Sequence, residues 1–439
     1  MNKKFTRLSL LFLLSVMIIS ACDTVEEKSV WEEDYQKDQR PDPVINSVDP
    51  QDGYLAGVSS IELNVSNLHP VADSNLVFFN EARAEIINYD GDNLEIIPPL
   101  ITGDSLQLRV AVVGAINFAT YDRPYTLDPA STPFDVLGNN DVPQGGIAVD
   151  AQDSVYASIN RNTQRLIIKY SQDGGEPSTF ANLSNPASSY STLLITPQGD
   201  LLGIRKAGVR AVFRIPQGAT ADEAWAIMPN GVVANDMDYD SQQRLWVTTN
   251  TNRIFRYDDT SVRSNSPSGE YSVGSFTSAD IKAVRFFDGN LFVAGAINGE
   301  QAVWSIPVAS NGDLEVGNAS QVSSLSTYDG FNEQPGESDI IVSMTVSRDG
   351  TIFLGTNDQE GLLKVSGGQV SPVYRGVLKA QLSGLVWGND NVLLGSQDSF
   401  IFREGGEGTG NALVGINMLN ASGEPILGAP RYGSGRFVP

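Results

Sequence analysis

Apolar residues fall on alternate positions through most of this chain, in short runs broken by Gly, Asn, Asp and Pro. Between residues 42 and 128 the runs "SIELNVSN", "SNLVFFN", "NLEIIPP" and "SLQLRVAVVG" put every second side chain on one face. That period predicts half-buried strands, and so many of them in succession predict a β-sandwich. From residue 131 to 419 the rhythm itself repeats: a short apolar strand, a tight polar turn, a second strand rich in Val, Leu and aromatics, then a third such as "LIIKY" or "VFRIP". Six copies align on Val155, Leu201, Leu245, Leu291, Ile352 and Val392, with a period of roughly 45 residues. "STFANL", "AWAIMP", "YSVGSF", "SQVSSL" and "SPVYRG" supply a fourth, edge strand in five of them. One four-stranded unit cannot bury both of its faces, so the units must stack around a ring. The expected fold class is therefore all-β, a sandwich followed by a six-bladed β-propeller. The longer interval after the fourth copy places an insertion at Val308 to Ser338. Closure of the ring needs a terminal strand, for which "STPFDVLG" (Ser131 to Gly138) and "ALVGINML" (Ala412 to Leu419) are alternatives, leaving 420–439 as a tail.

One stretch departs from the alternation. Lys3, Lys4 and Arg7 precede a continuous apolar run from Leu8 to Ile19, short for a bilayer span but suited to a secretory signal over residues 1–21. Its exit, Ile19-Ser20-Ala21-Cys22, holds the only cysteine of the chain. The segment resembles the lipobox of bacterial lipoproteins, and that resemblance implies acylation of Cys22 after cleavage. Each buried CH₂ of such a lipid contributes about 0.8 kcal/mol of membrane affinity, so the partner implied here is a membrane, reached through the lipid. Residues 22–41 are charged, poor in aliphatics and closed by prolines, an extended tether. The acids Asp23, Glu26 and Glu27 resemble the surface-export signal of Bacteroidota-like lipoproteins, although Asp directly after the cysteine resembles an inner-membrane retention signal of enteric bacteria. The first is preferred, giving an outer-membrane, surface-exposed address.

Composition adds a core and removes a class of partner. The chain has 439 residues, 41% hydrophobic, enough for more than one domain. Its 52 acidic against 29 basic residues leave a formal charge of −23, and phosphates would be repelled at every approach, which excludes nucleic acid.

Two resemblances sharpen the fold. Pro43, Ile45, Pro50, Gly53 and Gly57, with "LVFFNEARAEII" and "LRVAV", resemble the IPT/TIG immunoglobulin-like family over residues 42–128, whose members serve as spacers or adhesive modules. The chain departs from that family at Ser66-Asn67-Leu68, where a Gly-x-Asn-Phe is usual. "VPQGGIAVDAQDSVYASINRNTQRLIIKY" resembles an NHL repeat, a family whose usual form is Pro-x-Gly, an apolar strand, Asp-x-x-Gly and an aromatic-containing strand; the other copies diverge further.

Propellers present chemistry on the central channel and its loops. Nine residues before each anchor lie Gly146, Thr192, Asp236, Lys282, Ser343 and Ser383, a ring of candidate ligand-binding groups at the channel mouth. Asp236 and Lys282 are expected to form either a polar clamp for a ligand or a salt bridge filling the channel. The cost of an uncompensated charge favours the bridge, with partner binding on the variable loops and the insertion. Asn235 and Asp236 are the only weak metal candidates. Gluconolactonase-like propellers hold a divalent cation with Glu, Asn and Asp from different blades, but a matching Glu at the start of the first blade is missing. Lyase propellers that use histidines are excluded, because the single histidine, His69, lies in the sandwich beside a proline turn. The acidic turns "NYDGDNLE" and "MDYDSQQ" lack the ligand series of a calcium loop. Of the tryptophans, Trp246, Trp304 and Trp387 are expected in the core; Trp225, on an edge strand, could stack on sugars if exposed, but the usual burial of aromatics is the favoured reading. The expected function is recognition of a protein or glycan partner without a cofactor; a metal-dependent, lactonase-like hydrolase using calcium and a structural spacer in an envelope complex are the alternatives.

Overall fold

The structure is a computed structural model. It describes residues 40–136, 141–171, 176–184, 189–205, 210–259, 266–328, 340–357, 360–378, 381–388, 391–401, 409–420 and 423–432. The signal, Cys22 and nearly all of the tether lie outside the described residues. The described part contains strands and short 3₁₀ turns, and none of its helices is long and apolar enough to cross a membrane.

The chain divides into two compact units. One comprises the chain up to Gln51, Ile61–Ile96 and Ser105–Tyr125; the other comprises Asp52–Ser60, Ile97–Asp104 and Thr126–Pro439. In the first, strands Val44–Asp49, Ile61–Ser66, Asn93–Ile97 and Glu85–Tyr89 form one sheet in that order. Ala119–Thr120, Leu108–Val112, Asn75–Phe79 and Ala82–Arg83 form another. The alternation seen in the sequence is the burial pattern of these strands: Ile61, Leu63 and Val65 are buried while Glu62 is exposed, and Val77, Phe79, Leu108 and Val110 are buried on the second sheet. His69 shapes a turn, its Nδ1 accepting the Val71 N–H at 3.0 Å, while buried Asn75 accepts the His69 N–H at 2.8 Å.

In the second unit the described residues form six four-stranded antiparallel sheets, the blades of a β-propeller. Their innermost strands are Asp141–Val149, Tyr190–Ile195, Ala234–Tyr239, Ala279–Phe287, Ile341–Val346 and Leu382–Trp387, in blades 1 to 6. Each innermost strand packs on the next, and the sixth packs on the first. Six apolar clusters fill the gaps between neighbouring blades. The one joining blades 2 and 3 holds Leu202, Val212, Trp225, Met237 and Tyr257. The one joining blades 6 and 1 holds Leu394, Leu413, Ile147, Val155 and Ile168. Each large side chain so buried contributes about 1.5–3 kcal/mol, and this circular core, shared pairwise, replaces a central one.

Both closure candidates belong to one blade. Thr409–Asn417 is the third strand of blade 6, and Ser131–Val136 pairs with it as the fourth, with Ser131 opposite Ile416. The two ends of the propeller sequence are thus hydrogen-bonded into a single sheet, which leaves the ring without a seam held by side chains alone.

The repeated acidic turn has a local cause. Asp150 Oδ1 accepts the N–H groups of Gln152 and Ser154, and Asp240 Oδ1 those of Gln242 and Arg244, at 2.8–3.0 Å. The other carboxylate oxygen takes the Tyr156 hydroxyl in blade 1 and the Trp246 indole N–H in blade 3. The fourth turn position has φ between 60° and 89° at Asp153, Gly199, Gln243 and Gly350, which is why glycine recurs there.

The insertion at Val308 to Ser338 is, over its described part, packed structure. Ser320–Ser324 is the outer strand of blade 4, and the turn before it is pinned to blade 3: the Tyr271 hydroxyl reaches Asp313 at 2.9 Å, and Arg256 donates to Gly312 O. That portion is not a free binding loop, because its polar groups are spent on the neighbouring blade; residues 329–339 lie outside the described residues.

Candidate functional site

A cavity of about 470 Å³ occupies the channel, lined by the innermost strands of all six blades and, at the far end, by Ala429 to Tyr432. Thr192, Asn235, Asp236, Lys282, Ser343 and Ser383 all line it. Gly146 does not. It packs against blade 2, where a Cβ would stand 2.8 Å from Tyr190 O.

Several of these residues clasp one blade to the next. Thr192 Oγ1 donates to Asn235 O at 3.3 Å, Asn235 Nδ2 donates to Asp280 and to Ile281 O at 2.7 and 3.0 Å, and Ser343 Oγ donates to Leu382 O at 3.5 Å. Asp236 accepts the Val284 N–H at 2.9 Å. The positions belong to the first bulged turn of each inner strand, where the ladder is interrupted and backbone groups need partners from the neighbouring blade.

Asp236 and Lys282 are not the ion pair expected from the alignment. Arg285 Nη1 lies 2.7 Å from Asp236 Oδ2, and Lys282 Nζ lies 2.8 Å from Asp280 Oδ2. The cause is a one-residue difference in turn length. Tyr239 pairs with Leu245 across five residues, whereas Phe286 pairs with Leu291 across four. Counting nine back from Leu291 therefore oversteps, and the true counterpart of Asp236 in blade 4 is Ala283. Lys282 sits instead at the bulge, as Asn235 does in blade 3. In the channel Asp236 is paired with Arg285 of blade 4, and the expected Asp236–Lys282 bridge is not formed.

Arg285 reaches further than a pairwise bridge. From blade 4 it touches Asp236 of blade 3, and its Nη2 stands 3.5 Å from Leu385 O of blade 6, so a guanidinium spans the middle of the channel. Below it lies Asp238, half-buried on the cavity wall. Asp238 Oδ2 accepts the Phe286 N–H at 2.8 Å. Removal from bulk water pushes its carboxyl up to about 6, with Asp236 adding to the rise and Arg285 and the Phe286 N–H opposing it.

The far end of the channel is crossed by the C-terminal segment, for which the repeat pattern offered no signal. Gly428 bridges to Ser347, and the Ala429 N–H donates to Val346 O. Arg431 donates to Trp387 O at 2.6 Å and pairs with Asp153 at 3.4 Å. The ring of Tyr432 meets Phe286 edge-on at 5.8 Å. Its phenol is raised by burial and by Asp238, then by Asp288 and Asp240. Residues 428–432 thus form a floor, with the polar ring at the opposite mouth.

Two alternative chemistries find no fitting residues. Trp225 is 1% exposed and packs edge-on against Tyr257 at 5.2 Å; the interface between blades 2 and 3 buries it, so it is not a sugar platform. The lactonase-type metal set does not fit the donors present. Asp236 is taken up by Arg285 and the Val284 N–H, the Asn235 amide by Asp280, and Arg285 and Lys282 flank the place a divalent cation would occupy. Among the described residues no three His, Cys, Asp or Glu side chains converge.

No family model matches the sequence, and no curated protein matches it. Solved structures do. A phosphatase candidate from Bacteroides thetaiotaomicron is 11% identical, with a TM-score of 0.50, over 87% of this chain and 98% of its own. An auxiliary nutrient binding protein from the same organism is 11% identical, with a TM-score of 0.46, over 88% and 97%. Virginiamycin B lyase from Staphylococcus aureus is 13% identical, with a TM-score of 0.41, over 82% and 99%. At such identities the likeness concerns fold alone.

Proposed function

We propose that this chain is an exported, lipid-anchored binding protein that receives the end of a glycan in the channel of its propeller. The observation that carries the reading is the cavity: about 470 Å³, within the range of small-ligand sites, floored at one end and rimmed at the other by hydroxyl and amide groups of Thr192, Asn235, Ser343 and Ser383. Thr192, Asn235 and Ser343 donate between blades, and the lone pairs left on their hydroxyl and amide oxygens are acceptors for the hydroxyls of a saccharide. In this account residues 42–128 are an IPT/TIG-like spacer, the propeller is of the NHL kind, and Cys22 carries the lipid that holds both at the outer membrane.

The reading is tested by glycan-array binding of the full chain beside Ser383→Phe, which fills the mouth, with membrane association of Cys22→Ser measured in parallel. Saccharide binding that the mouth-filling variant loses supports it. Binding unchanged by Ser383→Phe, or capture only of protein partners, overturns it. Cys22→Ser is expected to leave the membrane fraction while staying folded.

A further inference from the structure

Four basic side chains line the channel cavity, and each has a carboxylate of its own. Arg205 is paired with Asp222 at 2.6 Å, Lys282 with Asp280 at 2.8 Å, Arg285 with Asp236 at 2.7 Å and Arg431 with Asp153 at 3.4 Å. Asp238 is the carboxylate left over. Among the described residues no Lys or Arg lies within ion-pair distance of it; it accepts the Phe286 N–H at 2.8 Å, and the Tyr239 backbone N–H and the more distant Arg285 also favour its charged form.

We propose that the cavity takes a ligand bearing a protonated amine on a polyhydroxylated frame, and that Asp238 is the group that receives the amine. The proposal rests on the channel being a saccharide site and names the kind of saccharide. A carboxylate held away from bulk water, whose nearest cation, Arg285, is already bound to Asp236, is costly. An ammonium brings a positive charge into direct contact, and three donors. A hydroxyl would satisfy an acceptor yet leave the charge uncompensated, and an anion would meet Asp236 and Asp238 together while gaining only bases already paired. The floor suits the same guest, because the aromatic rings of Tyr432 and Phe286 stand at that end of the cavity, and ring faces attract cations. The charged and titratable groups around Asp238 are Asp236 on its own strand, Arg285 from blade 4 and Tyr432 from the C-terminal segment.

The test is calorimetry of the full chain with glucosamine, N-acetylglucosamine and glucose at pH 7, repeated at pH 5 and with Asp238→Asn. The expected result is glucosamine binding at least tenfold tighter than either neutral sugar at pH 7. That preference falls at pH 5, as Asp238 takes up a proton, and is absent in Asp238→Asn. Equal affinity for the three sugars would overturn the amine assignment while leaving the glycan reading intact. Failure of all three to bind while the array detects other saccharides at the mouth would do the same. A calcium-induced rise in melting temperature that disappears in Asp238→Asn would overturn it in favour of a metal. Failure of both the array and the sugars would remove the glycan reading with it.

Discussion

Arg285 on blade 4 donates to the carboxylate of Asp236 on blade 3 at 2.7 Å, and the same carboxylate oxygen accepts the backbone N–H of Val284. Two neighbouring blades are locked by one charge-assisted cluster inside the channel. Breaking either half leaves an uncompensated charge in a poorly solvated place, whereas removing both does not. Asp236→Asn and Arg285→Met are each expected to cost more stability than the double variant, with a coupling of about 1–3 kcal/mol in denaturant melts. The cycle for Asp236 and Lys282 should give a smaller coupling, since Lys282 is paired with Asp280.

Asp238 predicts a pH signature. Its folded-state value, about 6, lies above the ordinary 3.8, so the folded protein binds the extra proton between those values. Its contribution to stability is full below about 4 and is lost as pH rises through 6. Asp238→Asn keeps an acceptor for the Phe286 N–H and removes the charge. It should raise stability by about 1–3 kcal/mol at pH 7.5 and by almost nothing at pH 4, measured as the difference in melting between variant and parent at each pH.

The meeting of blades 6 and 1 is backbone against backbone. Gly384 has φ of 65°, and a Cβ there would stand 1.8 Å from Gly145 O. Gly384→Ala combines a left-handed backbone with a clash no rotamer relieves, and should cost on the order of 3 kcal/mol or more. Gly53→Ala, with φ of 75° and nothing within 4 Å, carries the backbone strain alone and should cost about 1 kcal/mol.

Replacing Ser131–Val136 by a Gly/Ser linker in the full chain removes the fourth strand of blade 6 and exposes the edge of Thr409–Asn417. Loss of the cooperative thermal transition, or a fall of more than about 10 °C in its midpoint, is the expected outcome; an unchanged midpoint would show that the ring does not depend on this strand.

What the chain revealed in advance was what local chemistry decides. Alternation at Ile61, Leu63 and Val65, and the turn carboxylates Asp150 and Asp240, act within a few residues, so strands, turns and the repeat were legible. The pairing across the channel was not, because it depends on register between blades, and one residue of turn length moves Lys282 off the level of Asp236. The signal was present in "FFDGNLF": Asp288-Gly289 is a two-residue hairpin turn, and reading it would have brought Arg285 to Asp236. Arg431 and Tyr432 belong to no repeat, so no period announced that they floor the cavity. Trp225 is buried, as aromatics usually are, because an edge strand in one blade is covered by the next.

The most direct measurement is a crystal structure of the protein with glucosamine bound. The account predicts the sugar inside the channel, its amine within hydrogen-bond distance of Asp238. A sugar bound on the outer loops, with nothing in the channel, would contradict it.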